Sequence, residues 1–221
     1  MMRQPKIKYV IWDWNGTLIN DAWLFVELMN DELSARNLPL INIDGYRNYF
    51  TFPVKKYYEL LGFDFSKEDF KEVGYDFIQK FKKRKFEAKL FPGSNHILKL
   101  TKNLNITQCI VSAQEHHLLN KTVKYYKINH YFESISGIEH YYADDKVKIA
   151  QFIRKNIPYD NKEILMVGDS VHDFEVSKVL DIQCVLFSQG HYSKERLLKC
   201  GCHIIDDHKE LEEIYHSKIL G

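Results

Sequence analysis

Lys6-Ile7-Lys8-Tyr9-Val10-Ile11-Trp12-Asp13-Trp14-Asn15-Gly16-Thr17-Leu18 is the stretch on which the fold turns. Its unbroken apolar run, Tyr9 to Trp12, is what a strand buried on both faces requires, and it stops abruptly at a carboxylate. Residues 6–12 are therefore predicted to form a strand, with Asp13 to Thr17 as the turn beyond its carboxyl end.

Outward from this point the pattern changes twice. From about 21 to 86, apolar residues recur at helical spacing (Trp23, Phe25, Val26, Leu28, Met29, Leu33). Turns at Leu38-Pro39, Asp44-Gly45 and Gly62 divide this block into several helices, and Ser66 with Asp69 gives a loose capping-box start to the last. Beyond Phe91-Pro92-Gly93 helices and strands alternate. Helices are predicted near 96–102, 114–126, 146–156, 171–180, 193–199 and 208–218, and strands at 105–112, 132–136, 163–168, 182–187 and 203–205. Such alternation implies right-handed βαβ units and a mostly parallel sheet covered on both faces. The expected fold is α/β: a doubly wound, Rossmann-like core (1–20 and 91–221) with a helical domain (21–90) inserted after the first strand.

Composition narrows the function. The 221 residues carry 31 basic and 30 acidic side chains, a net charge of +1, which gives no reason to expect a nucleic-acid partner. No apolar run approaches the ~20 residues a membrane span needs, and Asp13 cuts the first one too short for a signal-peptide core. Cys109 and Cys184 lie in apolar runs and no C-x-x-C pair occurs, so reduced, buried thiols and a cytoplasmic setting are expected.

In open α/β sheets ligands bind beyond the carboxyl ends of the strands. The polar residues there are Asp13 to Thr17, Ser112, and Gly168-Asp169-Ser170 with Asp173. A calcium loop starting at Asp13 is excluded, because Leu18 and Leu24 stand where that loop needs glycine and glutamate. A Gly-Asp-Ser esterase is disfavoured, because the motif comes late and Asp206-Asp207-His208 has the wrong spacing. Of the ten histidines, only His172 adjoins these residues, and it reads as a loop side chain facing solvent.

These residues carry a resemblance. Asp13-Trp14-Asn15-Gly16-Thr17-Leu18 resembles the first motif, D-x-D-G-T, of the haloacid dehalogenase-like superfamily. Val111-Ser112 resembles its second motif, Lys146 (or Lys148) its third, and Gly168-Asp169-Ser170-Val171-His172-Asp173 its fourth, G-D-x-x-x-D. The 21–86 block is similar to the family's helical cap, and phosphoglycolate-phosphatase-like members are the most similar.

The resemblance implies a phosphatase acting on a small phosphorylated metabolite, phosphoglycolate among the candidates. It implies Asp13 as nucleophile, with Asp13, Asp169, Asp173 and the Asn15 carbonyl holding Mg²⁺. Ser112 and Lys146 would bind phosphate, helped by Gly16 and Thr17 N–H groups arranged as an anion nest. The departure is Asn15. An aspartate there usually serves as acid and base, and an amide cannot carry that proton. The alternative reading is therefore a low-turnover binding or regulatory protein. The aromatics of the inserted block (Trp23, Phe25, Tyr46, Tyr49, Phe50, Phe52, Tyr57, Tyr58) are expected mainly as core, with one or two facing the cleft.

Overall fold

The computed structural model describes residues 6–139 and 145–216. Its main sheet has six parallel strands in the order β5-β4-β1-β6-β7-β8. They are β1 (Tyr9–Trp12), β4 (Thr107–Glu115), β5 (Ser134–Ile138), β6 (Ile164–Gly168), β7 (Gln183–Phe187) and β8 (His203–Ile205). The chain starts in the middle, builds outward through β4 to β5, then crosses β1 to build the other side. That reversal puts a switch point beside β1, where the strand ends splay and leave a crevice.

Alternation along the strands fills both faces. Val10, Trp12, Ile110, Leu165, Val167 and Val185 belong to one apolar cluster. Tyr9, Ile11, Cys109, Val111, Ile164 and Met166 belong to the other. The side-chain period of two sends neighbours in sequence to opposite faces, which is why β1 reads as a continuous apolar run. Helices α5 (Ser94–Asn103), α6 (His116–Tyr125), α7 (Asp145–Arg154), α8 (Val171–Leu180), α9 (Lys194–Leu198) and α10 (Leu211–His216) accompany this sheet.

Between β1 and α5 lie α1 (Ala22–Ser34), α2 (Ile43–Tyr49), α3 (Val54–Leu60) and α4 (Phe70–Arg84), with their own core of Leu24, Leu28, Met29, Tyr46, Tyr57, Phe77 and others. A two-stranded antiparallel ribbon, β2 (Ile19–Asn20) with β3 (Lys89–Leu90), brings the two ends of this helical segment together.

Several boundaries differ from expectation for local reasons. Asp44-Gly45 is not a turn but the first turn of α2, where the Asn42 side chain caps by accepting from Gly45 N at 2.8 Å. Ser66 does not open α4: its hydroxyl binds Asp64 at 2.6 Å, and Asp69 caps α4 by accepting from Lys71 N. The first strand starts later than residue 6, and β4 runs on to Glu115 through a register shift against β5. The final helical stretch begins as a 3₁₀ turn, His208–Glu210, before α10; residues 217 and 218 of the predicted helix lie outside the described residues.

Candidate active site

Register puts three strand ends side by side. Trp12 on β1 pairs with Ile110 on β4 and with Val167 on β6. The next residues along are thus Asp13, Val111-Ser112 and Gly168-Asp169, the sites where the sequence motifs end. Asp13, Asp169 and Asp173 each offer a carboxylate oxygen, and these atoms lie within 4.8 Å of one another. Lys146, on the first turns of α7, sits between two of them, with Nζ 2.6 Å from Asp13 Oδ1 and 2.5 Å from Asp173 Oδ1. Lys148 is exposed. The side chain that enters the cluster is therefore that of Lys146.

Each carboxylate is held differently. Asp173, in the first turn of α8, accepts from Ser170 Oγ, Ser170 N and Asp169 N on its other oxygen, fixing the loop after β6. Asp169 accepts the Thr17 hydroxyl at 2.9 Å and His191 N at 2.6 Å. Ser112 Oγ accepts from Gln114 N at 3.1 Å, which leaves its hydroxyl hydrogen free to donate.

All four charged groups are buried, and three carboxylates face one ammonium. Burial pushes the Asp13 carboxyl up to about 6, opposed by Lys146. Burial likewise pushes Asp169 up to about 8, with the charges of Asp13 and Asp173 adding to the rise. Burial raises Asp173 too, but Lys146 outweighs it and the net shift is downward. Lys146 is destabilised by burial, yet the two aspartates lift it above the ordinary lysine range. Such a set of hard oxygen donors with surplus negative charge fits a divalent cation of the Mg²⁺ type.

The sequence reading missed a second cluster adjoining the first. Asn15 Nδ2 donates to Asp21 Oδ2 at 2.5 Å, and Gly16 N donates to Asp21 Oδ1 at 3.0 Å. His191, in the loop after β7, places Nε2 3.1 Å from the same Oδ1. Its Nδ1 lies 2.7 Å from the Tyr46 hydroxyl of α2. Asp21 and His191 are both buried. Burial lowers the His191 pKa, but the bond to Asp21 and the charges of Asp21, Asp169 and Asp13 prevail and raise it. Gly16 makes this approach possible: it sits at φ +73°, and a Cβ there would fall 2.3 Å from His191 Cδ2. The available signal was position, because Gly190-His191 also lies just beyond a strand's carboxyl end.

Two expectations need correction. The anion nest is not open: Gly16 N is engaged by Ile19 O and Asp21, and Thr17 N donates to Trp14 O. Thr17 reaches the site through its hydroxyl instead. His172 is not a solvent-facing loop residue; it lies in the first turn of α8 and packs on Phe52, with ring centroids 5.2 Å apart.

The helical segment closes over this edge. Arg47 donates to Gly190 O at 2.9 Å and Gln189 O at 2.6 Å, while Arg196 returns bonds to Arg47 O and Phe50 O. Phe25, Tyr46 and Phe50 all contact the His191 ring.

With this fold and constellation in view, the class is plain. Residues 10–187 match the haloacid dehalogenase-like hydrolase family, and the chain belongs to it. It is therefore an enzyme of a hydrolase family. No curated protein matches the sequence. Among solved structures it is similar to a haloacid dehalogenase-like family hydrolase from Streptococcus pneumoniae, with TM-score 0.79, 18% identity, and 95% of this chain and 99% of that one covered. Protein Tyrosine Kinase A of Mycobacterium tuberculosis is also similar, with TM-score 0.79, 20% identity, and 97% and 99% covered. A third is a predicted phosphoglycolate phosphatase from Haemophilus somnus, with TM-score 0.71, 17% identity, and 95% and 98% covered. Proteins described by different activities share this fold, so the reaction has to be argued from the site.

Proposed function

We propose that the protein is a Mg²⁺-dependent phosphatase that hydrolyses a small phosphorylated metabolite through a phosphoenzyme on Asp13. The observation that carries this reading is the Asp13 carboxylate, at the end of the central strand, sharing a buried lysine with one of two neighbouring carboxylates.

Asp13, Asp169 and the Asn15 carbonyl would hold the cation, with Asp173 completing the shell directly or through water. When bound, Mg²⁺ neutralises charge on the phosphoryl oxygens. The rest falls to the chain's own groups. Asp13 attacks phosphorus in line with the departing oxygen. The Ser112 hydroxyl donates to one phosphoryl oxygen, and Lys146 neutralises another while keeping Asp13 ionised. The Thr17 hydroxyl and His191 N fix Asp169 in its orientation. Water then attacks the phosphoenzyme and Asp13 is regenerated.

Residues 21–90 act as a cap on the core formed by 1–20 and 91–221. The β2–β3 ribbon is its neck, and the contacts of Tyr46 and Arg47 with the loop after β7 belong to its closed state. Closure excludes water and brings α2 near the leaving group.

A panel of phosphorylated small molecules, phosphoglycolate included, tested with Mg²⁺ on native and Asp13→Ala protein, decides the matter. Release of phosphate by native protein, lost on chelation and in the variant, is the expected result. Activity that survives both changes would remove the mechanism.

A further inference from the structure

The pair formed by Asn15 and Asp21 fixes which end of the Asn15 side chain faces the neighbouring carboxylate. Asp21 is a carboxylate with both oxygens taken: Oδ2 by Asn15, Oδ1 by Gly16 N and His191 Nε2. A carboxylate only accepts, so the Asn15 side facing it is the amide nitrogen, and that amide has no proton to transfer. A second carboxylate at position 15 would stand 2.5 Å from the first, a like-charge contact the pair avoids by being one acid and one amide. The negative charge has in effect been placed at 21 and fixed there.

Several other hydrogen-bearing side chains near Asp13 already hold hydrogen bonds. Lys146 is shared by Asp13 and Asp173, the Thr17 hydroxyl binds Asp169, and both His191 nitrogens are engaged. With an amide at position 15, a departing alkoxide finds no carboxylic acid there to protonate it.

We propose that the site selects activated phosphoryl donors, acyl phosphates and phosphoanhydrides, over alkyl phosphate monoesters; the proposal rests on the phosphatase reading above. In the first step an Asp13 oxygen–phosphorus bond forms and the bond to the leaving oxygen breaks. The electron pair leaves on a carboxylate or phosphate anion, which needs no proton. In the second step water adds to phosphorus and the Asp13 bond breaks. Inorganic phosphate departs, and the proton of water passes to it or to solvent. The second step also lacks a base at position 15, so phosphoenzyme accumulates with good donors.

The test is a leaving-group series: acetyl phosphate, substituted phenyl phosphates of graded acidity, glycerol 3-phosphate and phosphoglycolate, each with Mg²⁺. It is run on native protein, Asp21→Asn, and the exchange variant Asn15→Asp with Asp21→Asn. The exchange keeps one acid facing one amide. For native protein, kcat/KM should fall steeply as the leaving group becomes less acidic, with phosphoglycolate near the bottom. The exchange variant should recover alkyl esters relative to acetyl phosphate by roughly 10²–10⁴-fold, the usual size of acid–base assistance. Asp21→Asn alone should not recover them.

Equal native kcat/KM for acetyl phosphate and phosphoglycolate, or parallel slopes in native and exchange proteins, would overturn the proposal and leave the phosphatase standing. No turnover of any donor by native protein would remove the phosphatase reading, and this one with it. If the exchange variant does not fold, the native slope alone decides: steep supports the proposal, flat overturns it.

Discussion

The carboxylate cluster at the ends of β1 and β6 and the seam between α2 and the loop after β7 share a wall but are held together differently. In the cluster, three aspartates crowd around one lysine and the charges do not cancel. In the seam, one aspartate is matched by an amide, a backbone N–H and a histidine, and both its oxygens are used. The first arrangement is strained electrostatically and suits a group waiting for cation and substrate. The second is satisfied and suits a latch.

The largest expected effect falls on the cluster. Asp13→Ala should cut kcat/KM for the best donor by about 10⁴-fold or more, as loss of a nucleophile commonly does. Circular dichroism should show the fold retained. The same loss from a seam substitution such as Tyr46→Phe would dissolve the distinction between the two regions.

Next comes the lysine. Lys146→Ala leaves Asp13 and Asp173 facing each other without their shared cation. Removing one partner of a buried charge group costs about 3–5 kcal/mol, so chemical denaturation should show a clear drop. Phosphoryl binding should weaken as well, lowering kcat/KM by roughly 10²–10³-fold. Lys148→Ala, at an exposed position, should stay within about 0.5 kcal/mol of native.

A smaller effect follows from pH in metal-free protein. Folding raises Asp13 to about 6 and Asp169 to about 8, from ordinary carboxyl values near 3.8. Between those limits the native state binds more protons than the unfolded chain, so stability falls as pH rises. Tm measured with chelator should decline by several degrees from pH 4 to 8. Asp169→Asn should remove much of that decline, and Mg²⁺ should reverse it in native protein. A metal-free Tm that rises over this range would mean that the cluster is already balanced by charges within the chain.

The two regions also differ in how far sequence could foresee them. Asp13, Ser112, Asp169 and Asp173 are legible from pattern alone, because each sits at or near a strand's carboxyl end and apolar runs mark those ends clearly, whereas Lys146, in α7, is reached only through the resemblance. Their convergence follows from parallel register, which a sequence pattern implies. Asp21 and His191 carry no such mark. Asp21 looks like the start of a helix, and His191 is one of ten histidines. Their meeting depends on how the inserted helices settle on the core, and that is set by side-chain packing across distant segments. The same limit explains Asp44-Gly45: a dipeptide that favours turns was drawn into α2 by the Asn42 cap and by burial of Tyr46.

The smallest predicted effect probes the latch itself. Tyr46 is buried, and burial keeps its phenol well above the usual range, so its hydroxyl stays neutral. It meets His191 Nδ1 at 2.7 Å, while Nε2 faces Asp21. Tyr46→Phe keeps the ring packed on Phe50 and Tyr57 but strips Nδ1 of its partner in a dry seam. The cost of such an orphaned group is about 1–3 kcal/mol, read as a lower denaturant midpoint. Its pH dependence is specific. The raised His191 pKa means its charged form stabilises the fold fully below the unfolded value of ~6.5 and ceases to do so as pH rises through the folded value. The imidazolium's Nδ1–H is the donor that loses its acceptor, so the difference between native and Tyr46→Phe should be largest below pH ~6.5 and shrink above the folded value. Turnover of acetyl phosphate should change by no more than about 3-fold, under 1 kcal/mol of barrier, because no part of Tyr46 touches the reacting atoms. A pH-independent difference would assign the seam's stability to packing of the aromatic rings and not to the charge on His191.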